Sequence, residues 1–322
     1  MKDLSEVIEF ILTDQPLHEI FAVISTLVVV LVSCSFFLEK KSAGYWLPPK
    51  ESAKSKYLCE VWFMTYSIFW VSMMGIIIVF ELYLAFDKIH YAVVMIVLSA
   101  PLYLQPFLLP SLTGEENVPL LQRYSLKANI WIGIFGFIGN YWYTHYFYNV
   151  MKASYTFKSW DINGVPFPMI LATHFYFTLY HTLGNMALRK TRSRFAPGRG
   201  RFLFECMLVF FMSYVTAFTE AFTISGFPCY SFSDRRMAWV LGSAFYGIYF
   251  IVSYPMFIRI DEPGGAKFDA WATARDALAA GMLVLQLLDA ARLFIGADFK
   301  MAPRPCKTDA SLTCSPFTGQ LC

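Results

Sequence analysis

The sequence predicts an all-α, polytopic helical membrane protein, and two observations support this class. The 322 residues are 57% hydrophobic and only 15% charged, whereas a soluble domain carries roughly 25% charged residues. The apolar residues are gathered in runs of about 20, long enough to cross a hydrocarbon core of roughly 30 Å as an α-helix. Helices suit this environment because lipid offers the backbone no hydrogen-bond partners.

Eight segments are predicted to cross the membrane: 17–38, 61–80, 89–110, 128–147, 168–188, 202–224, 237–258 and 276–295. The first is too long for the apolar region of a signal peptide and follows an acidic leader, so we expect it to be uncleaved. The third contains Pro101, Pro106 and Pro110, which predicts a kinked or partly re-entrant helix. If either segment does not cross, seven spans remain.

The chain divides into three parts. Residues 1–43 form an extra N-terminal helix with its acidic leader, residues 44–296 form the main helical bundle, and residues 297–322 form a polar tail. The tail contains Cys306, Cys314 and Cys322, whose even spacing is unlike that of a zinc site. A disulfide between two of them requires a tail on the lumenal side.

Charge predicts the orientation. The net charge is +3, and basic residues cluster after the first and fifth segments, on one side of the membrane. The positive-inside rule assigns that side to the cytosol. A nucleic-acid site in the basic linker 189–201 is the weaker interpretation. The sequence contains no Walker loop, dinucleotide fingerprint, HExxH or paired CxxC motif, so it predicts no cofactor and no metal.

Ionisable groups inside the segments indicate a functional site, because such groups are costly in lipid and face the bundle interior or an interface. His145, His174, Glu220 and Asp289 lie on four different segments. At 1.5 Å per residue, alternating topology places all four within roughly 10 Å of one membrane face. We therefore expect them to share a pocket.

Each group also has a structural interpretation. His145 is equally consistent with an anchor at the membrane interface, and Asp289 with an i,i+3 ion pair to Arg292. Glu220 has no basic residue three or four positions away, so a local ion pair does not explain it.

Segment five carries a polar stripe. His174, Thr178, His181 and Asn185 recur at helical spacing and lie on one face. The stripe predicts either a functional surface inside the bundle or hydrogen bonds that hold neighbouring helices together.

The end of segment four is unusually aromatic. Residues 139–166 read GNYWYTHYFYNVMKASYTFKSWDINGVP, with one imidazole among the rings. Aromatic faces beside a proton-transfer group suit a site that handles a positively charged carbon intermediate. The rings predicted to face such a cation are Tyr141, Trp142, Tyr143 and Tyr146.

Long runs of the sequence resemble one family of membrane enzymes. These are 44–50 (GYWLPPK), 126–132 (LKANIWI), 139–166, 173–189 (THFYFTLYHTLGNMALR), 246–262 (YGIYFIVSYPMFIRIDE) and 276–296. On these runs the chain resembles the cycloeucalenol cycloisomerases, the cyclopropyl sterol isomerases of sterol synthesis. The extra first segment, the arginine–glycine linker and the cysteine-bearing tail depart from that resemblance.

The resemblance implies a redox-neutral reaction in the endoplasmic reticulum membrane that needs no cofactor. The 9β,19-cyclopropane ring of a sterol such as cycloeucalenol opens to an 8-ene such as obtusifoliol. An acid protonates C19, positive charge develops at C9, and a base removes the C8 proton. The cyclopropane methylene and the C8 hydrogen both lie on the β face of the sterol, so one carboxyl group or one coupled pair can serve both steps.

These demands assign roles to the site residues. Glu220 is predicted to be the proton donor and Asp289 the second choice, because burial of a carboxylic acid disfavours its charged form. His174 or His145 is predicted to relay or accept the proton. The sterol 3-hydroxyl is predicted to bind His181 with Asn185, or Asn129 and Asn140.

Two other functions fit the same residues. A Δ8–Δ7 sterol isomerase needs a similar acid and aromatic box, and a non-enzymatic sterol or lipid carrier can line a path with polar groups. In each case the predicted partners are a sterol and membrane lipid, with no nucleic acid.

Overall fold

The computed structural model describes residues 15–145, 153–225, 229–232, 237–294 and 296. Within these residues the chain forms eight α-helices, which confirms the predicted class. They are α1 (Gln15–Phe36), α2 (Lys54–Val79), α3 (Lys88–Leu108), α4 (Tyr124–His145), α5 (Phe167–Arg194), α6 (Arg199–Ser225), α7 (Ser243–Phe257) and α8 (Ala270–Phe294). The tail cysteines predicted to be unlike a zinc site lie outside the described residues.

Six stretches of the described chain are long and apolar enough to cross a membrane: α1, α2, α3, α6, residues 238–257 and α8. The helices α4 and α5 are not among them. The central helix α5 packs against α2, α3, α4, α6 and α7. Its polar side chains therefore contact protein rather than lipid, and this position permits its polar composition.

Two helices begin more than four residues earlier than predicted. The helix α2 begins at Lys54 rather than residue 61, and α8 begins at Ala270 rather than residue 276. The first turns of α2 contain Lys56 and Glu60, whose charges placed the predicted start of the segment after them. Both charges are buried in ion pairs, so the helix extends over these residues at its N-terminal end.

The proline-rich third segment is a single helix. The Asp87 carboxylate caps its start by accepting from the backbone N–H groups of Ile89 and His90, at 2.8 and 2.9 Å. Pro101 and Pro106 lie inside the helix. The segment predicted to be a kinked or partly re-entrant helix is therefore a continuous helix of 21 residues.

Neighbouring helices run antiparallel, so the loops gather at two ends of the bundle. We call the end with residues 39–53, 109–123, 195–198 and 258–269 the charged face, and the opposite end the hairpin face. At the hairpin face, β1 (Ala153–Tyr155) pairs with β4 (Tyr230–Phe232), and β2 (Asp161–Ile162) pairs with β3 (Val165–Pro166). The turn between β2 and β3 is Asn163-Gly164, both at positive φ, as expected for a two-residue hairpin loop.

The helix α1 lies at the periphery. Near its start, Leu17 and Ile20 pack with Phe218 and Trp239, and further along Leu31 packs with Phe195 and Phe204. Most of its other side chains are exposed. The main core is formed without α1, by residues of α2 to α8.

Candidate active site

Glu220 lies in the last part of α6, between α5 and α7. Its Oε2 accepts a hydrogen bond of 3.0 Å from the Tyr246 hydroxyl, and the Tyr180 hydroxyl also donates to the carboxyl group. The residue is partly exposed.

Further tyrosines surround this carboxyl group. Tyr176 of α5 and Tyr230 of β4 interact electrostatically with Glu220. Tyr254 of α7 does so too, and its hydroxyl lies 2.9 Å from Oγ1 of Thr216. Among the described residues, the tyrosines near this acid thus come from α5, α7 and β4.

His174 is held in one tautomer by α4. Its Nε2 lies 2.7 Å from Oδ1 of Asn129, and the Asn129 amide nitrogen donates to the Ser125 carbonyl. Because Oδ1 is then an acceptor, Nε2 of His174 carries the proton and Nδ1 keeps its lone pair. No described residue donates to Nδ1. The ring stacks on Tyr103 with 3.8 Å between centroids.

His181 has the opposite tautomer. Its Nδ1 lies 2.7 Å from the Phe177 carbonyl and must donate to it, so Nε2 keeps the lone pair and has no donor in the described chain. Gly184, one turn on, lies so close to Tyr254 that an added Cβ would meet its ring at 2.8 Å. Six described rings surround the imidazole with centroids 5.1 to 6.2 Å away: Trp131, Phe135, Phe177, Phe250, Tyr254 and Phe257.

The polar stripe continues into a buried network of charges. The Asn185 amide donates to Oε1 of Glu60 at 3.0 Å. Arg189 donates to both oxygens of Glu60 at 2.8 Å and to Glu262 at 2.7 Å. Glu262 also pairs with Lys56 at 2.7 Å. Two acids and two bases therefore neutralise one another at the charged face.

Glu262 lies in the loop after α7, and its charge is stabilised by this network. Burial alone would raise the pKa of its carboxyl group. The hydrogen bonds and positive charges of Arg189 and Lys56 outweigh burial and hold that pKa below its usual value.

Two bases of this network belong to the basic clusters from which the sequence predicts the orientation. Lys56 and Arg189 are each only 2% exposed. Their charges are paired with Glu262 and Glu60 inside the protein. The predicted orientation therefore depends on the other basic residues of those clusters.

The remaining predicted residues lie in several environments. Asp289 pairs with Arg292 at 2.9 Å and its side chain is 48% exposed, which matches the ion-pair interpretation. Asn140 donates to Thr173 and to the Gly136 carbonyl. Tyr141 stacks on Phe137 and packs edge-on against Trp142, which is 55% exposed. The side chains of Tyr143 and His145, and all of Tyr146, lie outside the described residues.

A cavity of about 550 Å³ lies at the charged face, between the start of α2 and the loops before α4 and α8. An apolar cleft of about 350 Å³ lies between α1 and α6. Neither is lined by Glu220, His174 or Asp289. Within the part of the chain that the structure describes, no group of three or more His, Cys, Asp or Glu side chains is arranged to hold a metal ion.

Some residues of this site escaped the sequence prediction. The tyrosines around Glu220 follow helical spacing, since Tyr176 and Tyr180 are four residues apart and Tyr246 and Tyr254 are eight apart. This spacing is the sequence feature that could have indicated them. The feature that could have indicated Glu60 is weaker: it is an acid one helical turn after a lysine, at the edge of an apolar run.

These features define the class of the protein: a polytopic helical membrane protein with a carboxyl group hydrogen-bonded by tyrosines and two buried imidazoles in its bundle. The chain is 40% identical over 258 residues to a cycloeucalenol cycloisomerase of Arabidopsis thaliana, a match that covers 79% of this chain and 91% of the relative. The chain belongs to the cycloeucalenol cycloisomerase family. No family model matches the chain, and no solved structure matches it.

Proposed function

We propose that the protein is a sterol isomerase that opens the 9β,19-cyclopropane ring of a cyclopropyl sterol of the cycloeucalenol type. A proton is added at C19, the C9–C19 bond breaks, and C19 becomes a methyl group on C10. The cation at C9 then loses the C8 proton to give an 8-ene. No electrons are gained or lost overall, so the proposed reaction calls for no cofactor.

One observation carries this proposal beyond family membership: an acid at membrane depth that is ringed by phenols. Glu220 is the proposed proton donor because it is a partly exposed acid whose carboxyl group accepts hydrogen bonds from two phenols. Once the proton has left, the hydroxyls of Tyr246 and Tyr180 stabilise the carboxylate by hydrogen bonds. A base at the same position can then take the C8 proton.

The cation at C9 needs negative electrostatic potential nearby. The faces of Tyr176, Tyr180 and Tyr246 supply it from α5 and α7. The new carboxylate of Glu220 adds a full negative charge. The cluster of Tyr141, Trp142, Tyr143 and Tyr146 remains the second proposed source of cation-facing rings.

The proposed proton acceptors are ranked by geometry. His174 has a bare Nδ1 inside the bundle and is the favoured relay, with His145 as the alternative. Asp289 stays the second choice for the donor, since Arg292 occupies its carboxylate. The Asn129 amide is engaged by His174 and Ser125, which favours His181 with Asn185 for the 3-hydroxyl.

The experiment uses purified protein in lipid nanodiscs with cycloeucalenol in D₂O. We expect an 8-ene product with one deuterium in its C19 methyl group. A protein that leaves cycloeucalenol unchanged but converts an 8-ene sterol to a 7-ene is the alternative Δ8–Δ7 isomerase. A carrier returns both sterols unlabelled. The proposed residence is the endoplasmic reticulum membrane, which microscopy of the tagged full chain tests separately.

A further inference from the structure

The stripe on α5 contains two buried acceptors on neighbouring turns that lack donors. These are Nε2 of His181 and Oδ1 of Asn185, and no described residue donates to either. Their residues are 0% and 1% exposed. Most buried polar atoms in native proteins are hydrogen-bonded, so two bare acceptors one turn apart indicate a missing donor.

The chemistry of both atoms is fixed by their neighbours. Nδ1 of His181 is used on the Phe177 carbonyl, so Nε2 can only accept while the ring is neutral. The Asn185 amide nitrogen donates to Glu60, so its oxygen points away from that carboxylate. A ligand that satisfies this pair must bring a hydrogen-bond donor.

Glu60 and Arg189 determine which end of the amide faces the bundle. A carboxylate accepts but does not donate, so it turns the NH₂ group of Asn185 towards itself. Arg189 holds Glu60 with two bonds of 2.8 Å and prevents its rotation. The buried ion pair thus positions the amide oxygen.

The two acceptors belong to residues on the same face of α5, four positions apart. Side chains on a helix lean back over the preceding turn, so Asn185 leans towards the turn of His181. The surrounding wall is apolar and aromatic: the rings around His181 come from α4, α5 and α7. A ligand that carries one hydroxyl group on a rigid hydrocarbon skeleton fits a site with two polar acceptors in an otherwise apolar wall.

We infer that His181 and Asn185 recognise the 3-hydroxyl of the sterol, with Glu60 and Arg189 as residues that position the Asn185 oxygen. This inference rests on the proposed function for the identity of the ligand. It predicts that the protein prefers sterols with a hydrogen-bond donor at C3. A 3β-hydroxysterol should bind more tightly than the matching 3-ketone or 3-methyl ether, because neither of these can donate a hydrogen bond.

The test measures binding without turnover. Purified full-length protein in nanodiscs is titrated with cycloeucalenol, its 3-ketone and its 3-methyl ether, each competing against a photoreactive sterol. We expect cycloeucalenol to bind roughly tenfold more tightly than either analogue, as for one lost hydrogen bond to a neutral acceptor. Equal binding of the three sterols by the wild-type protein overturns the inference.

Variants then show which residues are responsible for the preference for the 3-hydroxyl group. Asn185→Leu and His181→Phe should bind the three sterols alike. Glu60→Gln should weaken or reverse the preference, since a glutamine side chain can donate and lets the amide of Asn185 turn its NH₂ group inward. A purely structural role for Glu60 would weaken all three sterols equally.

The matched control is Thr182→Val. Thr182 is fully buried on the same helix and bonds only to the Thr178 carbonyl among the described residues, so this variant should keep the wild-type order of the three sterols. Retention of the hydroxyl preference in Asn185→Leu and His181→Phe also overturns the inference. A protein that prefers the hydroxyl but never incorporates deuterium at C19 refutes the proposed function and leaves the recognition site intact.

Discussion

Arg189 of α5 and Glu60 of α2 form a two-bonded ion pair inside the bundle, with both N–O distances at 2.8 Å. The planar guanidinium matches the two carboxylate oxygens, and two further hydrogen bonds join it to Glu262. Three separate parts of the chain are thereby connected at the charged face. The pair has consequences for stability and for the orientation of Asn185.

Removal of Arg189 should destabilise the fold strongly. Arg189→Met leaves two carboxylates buried with less positive charge, and we expect the free energy of unfolding to fall by about 3–5 kcal/mol. The measurement is unfolding in detergent followed by circular dichroism. Arg192→Met is the matched control: its pair with Glu205 is partly exposed, so its loss should stay below about 1 kcal/mol. Equal losses in the two variants would contradict the role of burial.

The proton donor is tested at Glu220. Glu220→Gln keeps the shape of the side chain but removes the acid, and turnover of cycloeucalenol should fall by about 10²–10⁴-fold. Tyr246→Phe removes one bond to the carboxylate and should cost roughly tenfold. The control is Thr219→Val, an exposed neighbour on α6. A greater loss in Asp289→Asn than in Glu220→Gln would move the donor role to Asp289.

The cationic intermediate predicts a pattern of inhibition. A sterol-like tertiary amine that is protonated at the assay pH should inhibit roughly tenfold more strongly than its neutral isostere, because aromatic faces attract a desolvated cation. Inhibition constants for the two compounds provide the measurement. Tyr246→Leu should reduce the difference between the two inhibition constants. Equal potency against the wild-type protein would argue against a cation at this site.

The Glu262 carboxyl group predicts how stability depends on pH. Its pKa in the folded protein lies below the ordinary value of 4.5. Its stabilising effect is therefore complete above that value and is lost as the pH falls below it and through the folded pKa. We expect the Tm of the wild-type protein to drop in this acidic range, and Glu262→Gln to lower the Tm at pH 7 but to flatten the drop.

An exposed carboxylate supplies the control for this measurement. Glu116 lies on the surface of the loop before α4, so Glu116→Gln should follow the wild-type curve. If Glu262→Gln shows the same acid-dependent drop as the wild-type protein, Glu262 does not carry the effect.

The helices were predictable because apolar runs report lipid exposure directly. Each of the eight predicted segments became a helix in the described structure. The ends of α2 and α8 were missed because a charge such as Glu60 reads as a boundary when its partner, Arg189, is 129 residues away. Hydropathy along the chain does not contain such distant pairings.

The site was predictable only in part. Glu220 and His174 stood out because each is an ionisable group inside an apolar run. The phenols around Glu220 did not, since tyrosines are common at membrane interfaces and their partners are set by helix packing. The tautomers of His174 and His181 follow from Asn129 and Phe177, contacts that only the folded bundle specifies.

The contact between Gly184 and Tyr254 couples two positions that lie on α5 and α7. A methyl group at position 184 would collide with the Tyr254 ring, so a larger residue there requires a smaller one at position 254. In an evolutionary record these two sites should covary. For the same reason, a larger residue at position 184 should increase the separation of α5 and α7 beside the imidazole of His181. This change would alter no polar atom.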